Sequence, residues 1–63
     1  MHFAENLKKA RTRLGLTQEE LAKKIGIAQN AISAYERGLR TPRVLKIPKI
    51  AEVLGLSVDE LIE

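Results

Sequence analysis

The stretch from Thr17 to Glu36, T-Q-E-E-L-A-K-K-I-G-I-A-Q-N-A-I-S-A-Y-E, leaves this chain few ways to fold. It reads as two short helices joined by a tight turn at Gly26. Thr17 followed three residues later by Glu20 is a helix-start pattern: the hydroxyl accepts from the amide of the third helical residue, and the carboxylate reaches back to the cap amide. Leu21 and Ile25 are four apart and share a face. Gly26 ends the first helix, where a left-handed backbone is cheap for glycine alone. Ile32 and Tyr35 mark the buried side of the second helix. Gln29, Asn30, Ser33 and Ala34 remain on its outward side, which is short, polar and free of carboxylates. An apolar back with an amide-rich front suits the major groove of DNA.

The flanking segments repeat the helical period. Phe3, Leu7, Ala10 and Leu14 form one apolar stripe, with Lys8, Lys9, Thr12 and Arg13 opposite, and Gly15 closes the helix. Leu16 is expected to tuck into the core, and Ile27 to plug the space between the second and third helices. Ala28 offers no oxygen to cap the third helix, so its start is the least stable of the set. Gly38 stops that helix, and Leu39 to Pro42 is a loop. Ile47, Ile50, Ala51 and Leu54 then share a face up to Gly55. Pro48 removes a backbone donor and crowds the preceding turn. The pattern favours a helix beginning near Val44 with Pro48 tolerated in its second turn. The other arrangement is a looser turn from Val44 to Ile47, with regular helix from about Ile47. Ser57 with Glu60 repeats the cap pattern and opens a last short helix. The expected fold is therefore all-α, one domain over residues 1–63, with helices over about 3–14, 18–24, 28–37, 44–54 and 58–62.

At 63 residues the core is small, and without cysteine neither disulfides nor a thiolate metal site can support it. Eleven lysines and arginines against eight acidic residues give a net charge of +3, a mild basic bias. Its distribution says more: Arg37, Arg40 and Arg43 fall in and beside one loop, with Lys46 and Lys49 beyond. Glu19, Glu20, Asp59 and Glu60 sit at helix starts, where they suit the helix dipole. No apolar run approaches the roughly 20 residues that a membrane span needs, and the N-terminus lacks a signal peptide's apolar core. A soluble intracellular protein that needs no cofactor or metal is the expectation.

From Leu7 to Leu61 the chain resembles the helix-turn-helix domain of the phage repressor and Cro family, also called the xenobiotic-response-element family, with its lambda-repressor-like fold. The resemblance rests on Leu7-Lys8-Lys9-Ala10-Arg11, Gly15-Leu16-Thr17-Gln18-Glu19-Glu20-Leu21-Ala22, Ile25-Gly26-Ile27, Ile32-Ser33-Ala34-Tyr35-Glu36-Arg37-Gly38, Pro42, and Leu54-Gly55-Leu56-Ser57-Val58-Asp59-Glu60-Leu61. It implies that the third helix enters the major groove while the second crosses the backbone. Gln29 and Asn30 match base-reading positions, and an amide fits adenine N6 and N7. Ser33 and Ala34 match positions nearest the bases. Gln18 matches a phosphate-contacting position that also buttresses a base-reading side chain. Arg37, Arg40 and Arg43 would hold phosphates, giving affinity without sequence information. Arg11 and Glu36 would form a partly buried salt bridge that orients the recognition helix. Blander roles stay open: Gln18 as a helix-start residue, Gln29 and Asn30 as solvated surface, Ala34 as a spacer, Arg40 as a free loop charge. Family members often carry Ser or Thr where Ala28 stands, so that hydroxyl's phosphate contact is absent here.

The expected function is a sequence-specific transcriptional regulator, a repressor in mode, bound as a homodimer to double-stranded DNA at a pseudo-palindromic operator. Leu56, Val58, Leu61 and Ile62 are the candidate dimer surface; alternatively they only close the core. A protein-interaction module, such as an antitoxin or adaptor on the same fold, is the competing reading. It would call for large exposed apolar residues on the third helix, where this chain has Gln, Asn, Ser and Ala. An enzyme is not expected: His2 is terminal, and no carboxylate pair has a plausible pocket.

Overall fold

The computed structural model describes residues 2–63 and is helical throughout its regular elements. Five α-helices follow in order: α1 (Phe3–Arg13), α2 (Gln18–Ile25), α3 (Gln29–Glu36), α4 (Ile47–Leu54) and α5 (Val58–Ile62), with one 3-10 turn at Val44–Lys46. The cap at α2 forms as its sequence dictates. Thr17 Oγ1 accepts from the Glu20 amide at 3.0 Å, and Glu20 Oε1 accepts from the Thr17 amide at 2.8 Å. Ser57 and Glu60 repeat this pair at α5 with distances of 3.0 and 2.8 Å. In both places the amide and hydroxyl of the cap residue hold the glutamate's carboxyl below the usual range. Gly26 adopts φ 89° and ψ 32°, which turns the chain sharply from α2 towards α3.

The apolar stripes converge on one core. Leu7, Leu21, Ile32, Ile50, Leu54 and Leu61 are its fully buried large side chains, one or more from each helix. Leu16 and Ile27 pack against it from the two turns, as their positions suggested. The Asn6 side-chain amide donates to the Leu61 carbonyl at 2.9 Å and ties α1 to the last turn of the chain. That bond leaves no periodic signature and was not foreseen.

The start of the fourth helix corrects the expectation. Val44 to Lys46 forms a 3-10 turn, and α4 begins at Ile47, so Pro48 lies in the first turn and not the second. The physical reason is local: a first-turn amide has no intrahelical partner to lose, and the proline ring meets no earlier helical carbonyl. The shift rotates Val44 and Leu45 off the helical face and out of the core. They are 82% and 91% exposed. The other boundaries fall within a residue of those expected; Ala28 and Arg37 flank α3 as its caps.

Candidate nucleic-acid interface

α3 is held by its inner face. Ile32 is fully buried and Tyr35 is 3% exposed, its ring edge-on to Phe3 with centroids 6.1 Å apart. This fixes the rotation of the helix and therefore what it shows to solvent. Gln29 and Asn30 are exposed on the first turn, and Ser33 and Ala34 are half-buried along the same outer side. Ala28, in extended conformation at φ −74° and ψ 148°, gives the helix no side-chain cap. The first amides of α3 thus lie open beside Gln29 and Asn30.

The end of α3 is anchored by a hydrogen-bonded ion pair. Arg11 Nε donates to Glu36 Oε2 at 2.6 Å, and Arg11 Nη2 donates to Glu36 Oε1 at 3.1 Å. Arg11 Nη1 donates to the Leu16 carbonyl at 2.7 Å, and the Gln18 amide donates to Glu36 Oε1 at 3.1 Å. The Glu36 side chain is 3% exposed and that of Arg11 14%. One carboxylate therefore ties together α1, the turn at Leu16, the start of α2 and the end of α3. Its hydrogen bonds raise the affinity of Arg11 for its proton, against the opposing effect of burial. The pair joins the two residues that the sequence reading linked. Gln18 enters as a third member, turned towards Glu36.

Beyond Glu36 the chain reverses. The Gly38 amide donates to the Tyr35 carbonyl at 3.2 Å and the Leu39 amide to the Ala34 carbonyl at 2.9 Å. This double closure needs a left-handed residue between them, and Gly38 supplies φ 73°. Arg37, Arg40 and Arg43 are all exposed, and among the described residues none pairs with a carboxylate within 4.0 Å. The Arg40 guanidinium carbon lies 5.9 Å from the centre of the Tyr35 ring. Three exposed cations thus follow the end of α3 without a carboxylate partner among the described residues.

The four residues expected to pair protomers divide. Leu61 is fully buried in its own protomer, so its side chain is not available to a partner, and core closure is its role. Leu56 and Ile62 are half-buried, and Val58 is 38% exposed. Val58 and Ile62 line an apolar groove of about 400 Å³ with Phe3, Pro42, Val44 and Ile47. Val44 and Leu45 were missed because their exposure follows from the placement of Pro48; its preference for a first turn was the available signal.

Comparison with known proteins agrees with this geometry. The family described as Helix-turn-helix matches residues 7–61. The uncharacterized HTH-type transcriptional regulator YqaE of Bacillus subtilis (strain 168) is 43% identical over 61 residues, covering 97% of this chain and 53% of that protein. The cryptic phage CTXphi transcriptional repressor RstR of Vibrio cholerae is 33% identical over 60 residues, covering 95% of this chain and 54% of its own length. Among solved structures, SinR, the master regulator for biofilm formation crystallised in complex with DNA, superposes with a TM-score of 0.89 at 32% identity, covering 97% of this chain and 98% of that one. The chain spans about half the length of the two curated relatives. With the helix pair, the ion pair behind it and the family match over nearly the whole chain, this protein belongs to the helix-turn-helix family of phage repressor and Cro type.

Proposed function

We propose that this chain is a sequence-specific DNA-binding domain of a transcriptional regulator, with α3 in the major groove. The carrying observation is the outer side of α3: short polar side chains at Gln29, Asn30 and Ser33, followed by three arginines without carboxylate partners among the described residues. Gln29 and Asn30 present donor and acceptor together, as adenine requires, and the Ala34 methyl can meet a thymine methyl. Arg37, Arg40 and Arg43 bind phosphates and set register. Gln18 reaches the adjacent phosphate from the start of α2 while its amide stays tied to Glu36. Repression is the proposed mode, because it asks only that the site be occupied; the relative from Vibrio cholerae is named a repressor. No catalytic role belongs to this reading, which places the protein in the cytoplasm, on the nucleoid. No helix among the described residues is long and apolar enough to cross a membrane.

One such domain covers a half-site, so the operator is pseudo-palindromic and bound by a homodimer with recognition helices roughly 34 Å apart. The pairing surface is the groove between the 3-10 turn and α5. Val44 and Val58 offer exposed apolar area there, with Ile62 beside them, and a two-fold contact would bury the same patch on both copies. Selection of bound sites from random duplex DNA at moderate salt tests the reading. An enriched motif with inverted halves about one turn apart supports it. An enriched single half-site would remove the dimer, and no enrichment would favour a protein-interaction role.

A further inference from the structure

We propose that Tyr35 is a positioning residue for DNA binding: its ring holds the Arg40 guanidinium against the end of α3, so that the phosphate contact is built before DNA arrives. The inference rests on the reading of Arg40 as a phosphate ligand. Tyr35 is the chain's only tyrosine, and with Phe3 it makes up the whole aromatic complement. It belongs to α3, and its ring is locked by burial and by the edge contact with Phe3. The Gly38 reversal brings the chain back over that ring, and the Arg40 guanidinium carbon lies 5.9 Å from its centre, inside the roughly 6 Å reach of a cation–π contact.

The chemistry of guanidinium makes this contact compatible with a ligand role. Stacking uses the flat face of the group, whereas its five N–H donors lie in the plane and point outward at the edge. No carboxylate occupies those donors within 4.0 Å among the described residues. Arg40 is therefore restrained without being neutralised. A free arginine loses side-chain entropy when it orders on a phosphate, and one already ordered loses less. Among the described residues Arg37 and Arg43 are exposed with no such ring contact, so of the three arginines Arg40 is the one whose guanidinium is held by a side chain of the helix that carries Gln29 and Asn30. A phosphate gripped there fixes how deep and at what angle α3 sits.

A double-mutant cycle on the full chain tests this, using Tyr35→Leu, Arg40→Ala and the pair. Affinity for the DNA pool recovered from random duplex is measured between about 50 and 200 mM salt, and folding is followed by circular dichroism. Arg40→Ala should weaken binding and reduce the salt slope by about 0.9, the signature of one lost phosphate contact. Tyr35→Leu should weaken binding about two- to fivefold with the slope unchanged, because no charge is lost. In the Arg40→Ala background Tyr35→Leu should cost clearly less than in the wild type, the remainder being the packing against Phe3, and Tyr35→Phe, which keeps the ring, should bind as the wild type. An equal cost of Tyr35→Leu in both backgrounds, or none in either, overturns the proposal and leaves Tyr35 a core residue. If Arg40→Ala changes neither affinity nor slope, the phosphate reading of Arg40 fails, whatever Tyr35 does. Should Tyr35→Leu not fold, NMR of the wild-type protein without DNA decides: Arg40 Hδ resonances shifted by the ring current of Tyr35 support the proposal, and shifts of a free arginine side chain overturn it.

Discussion

Replacing Arg11 by methionine isolates the ion pair behind α3. Methionine keeps an unbranched, flexible stem in place of the Arg11 aliphatic chain, so little packing is lost. What disappears is every donor that Arg11 gives: two to Glu36 and one to the Leu16 carbonyl. Glu36 keeps a single neutral bond, from Gln18 at 3.1 Å, on a side chain that is 3% exposed. Breaking a buried pair by removing one partner costs about 3–5 kcal/mol, and the surviving Gln18 bond puts this case near the lower end, at about 3 kcal/mol. A domain of this length has only about 3–9 kcal/mol in total, so the loss removes between a third and all of its stability. The melting temperature, followed by circular dichroism, should fall by roughly 12–24 °C. Adding Glu36→Leu to Arg11→Met removes the stranded charge and should restore most of the loss, since an apolar replacement of both partners is often neutral or better. DNA affinity should not recover with it, because Gln18 has lost the acceptor that orients it. An unchanged melting temperature and unchanged DNA affinity in Arg11→Met would refute the reasoning.

Three further outcomes follow from the same geometry. Ala28→Ser places a hydroxyl at an extended cap position above open amides, and should stabilise the protein by about 1 kcal/mol, seen as a melting temperature about 4–8 °C higher. Pro48→Ala should change stability by no more than about 1 kcal/mol, because Pro48 lies in the first turn of α4; a rise of about 12 °C or more would mean that the proline interrupts a helix. Glu20 and Glu60 have carboxyls held below the usual range in the fold, so their contribution is present at neutral pH and fades as pH falls through the ordinary glutamate range and below. Glu20→Gln with Glu60→Gln keeps an acceptor for each cap amide but removes the titration, so its acid unfolding curve should be shallower; an identical curve would count against the cap bonds.

What the sequence disclosed, and what it hid, divides along physical lines. Helices with a strong period and a local start signal were legible: Thr17 with Glu20 and Ser57 with Glu60 form their reciprocal caps where spacing put them. The Arg11–Glu36 bridge is 25 residues long in sequence, and only family likeness joined its ends. Pro48 was ambiguous because its cost depends on which turn holds it, and a three-residue shift in helix start decides that. The same shift exposes Val44 and Leu45, which periodicity alone would have placed on a helix. Leu61 shows the converse: an apolar residue near the chain's end can face a partner or the core, and its carbonyl bond to Asn6 accompanies full burial. The contact of Arg40 with Tyr35 depends on the chain reversing at Gly38. The glycine was visible in the sequence, but where the reversal carries Arg40 is a tertiary matter.

The central claim is that the first turn of α3 reads bases. The most direct measurement is the site selection from random DNA performed in parallel for the wild type and Gln29→Ala. Gln29 is exposed and supports no part of the core, so the variant should fold normally. The motif should persist but relax at one position in each half-site, with a loss there of about 1–3 kcal/mol of discrimination. The same motif with the same preference at every position, from both proteins, would contradict it.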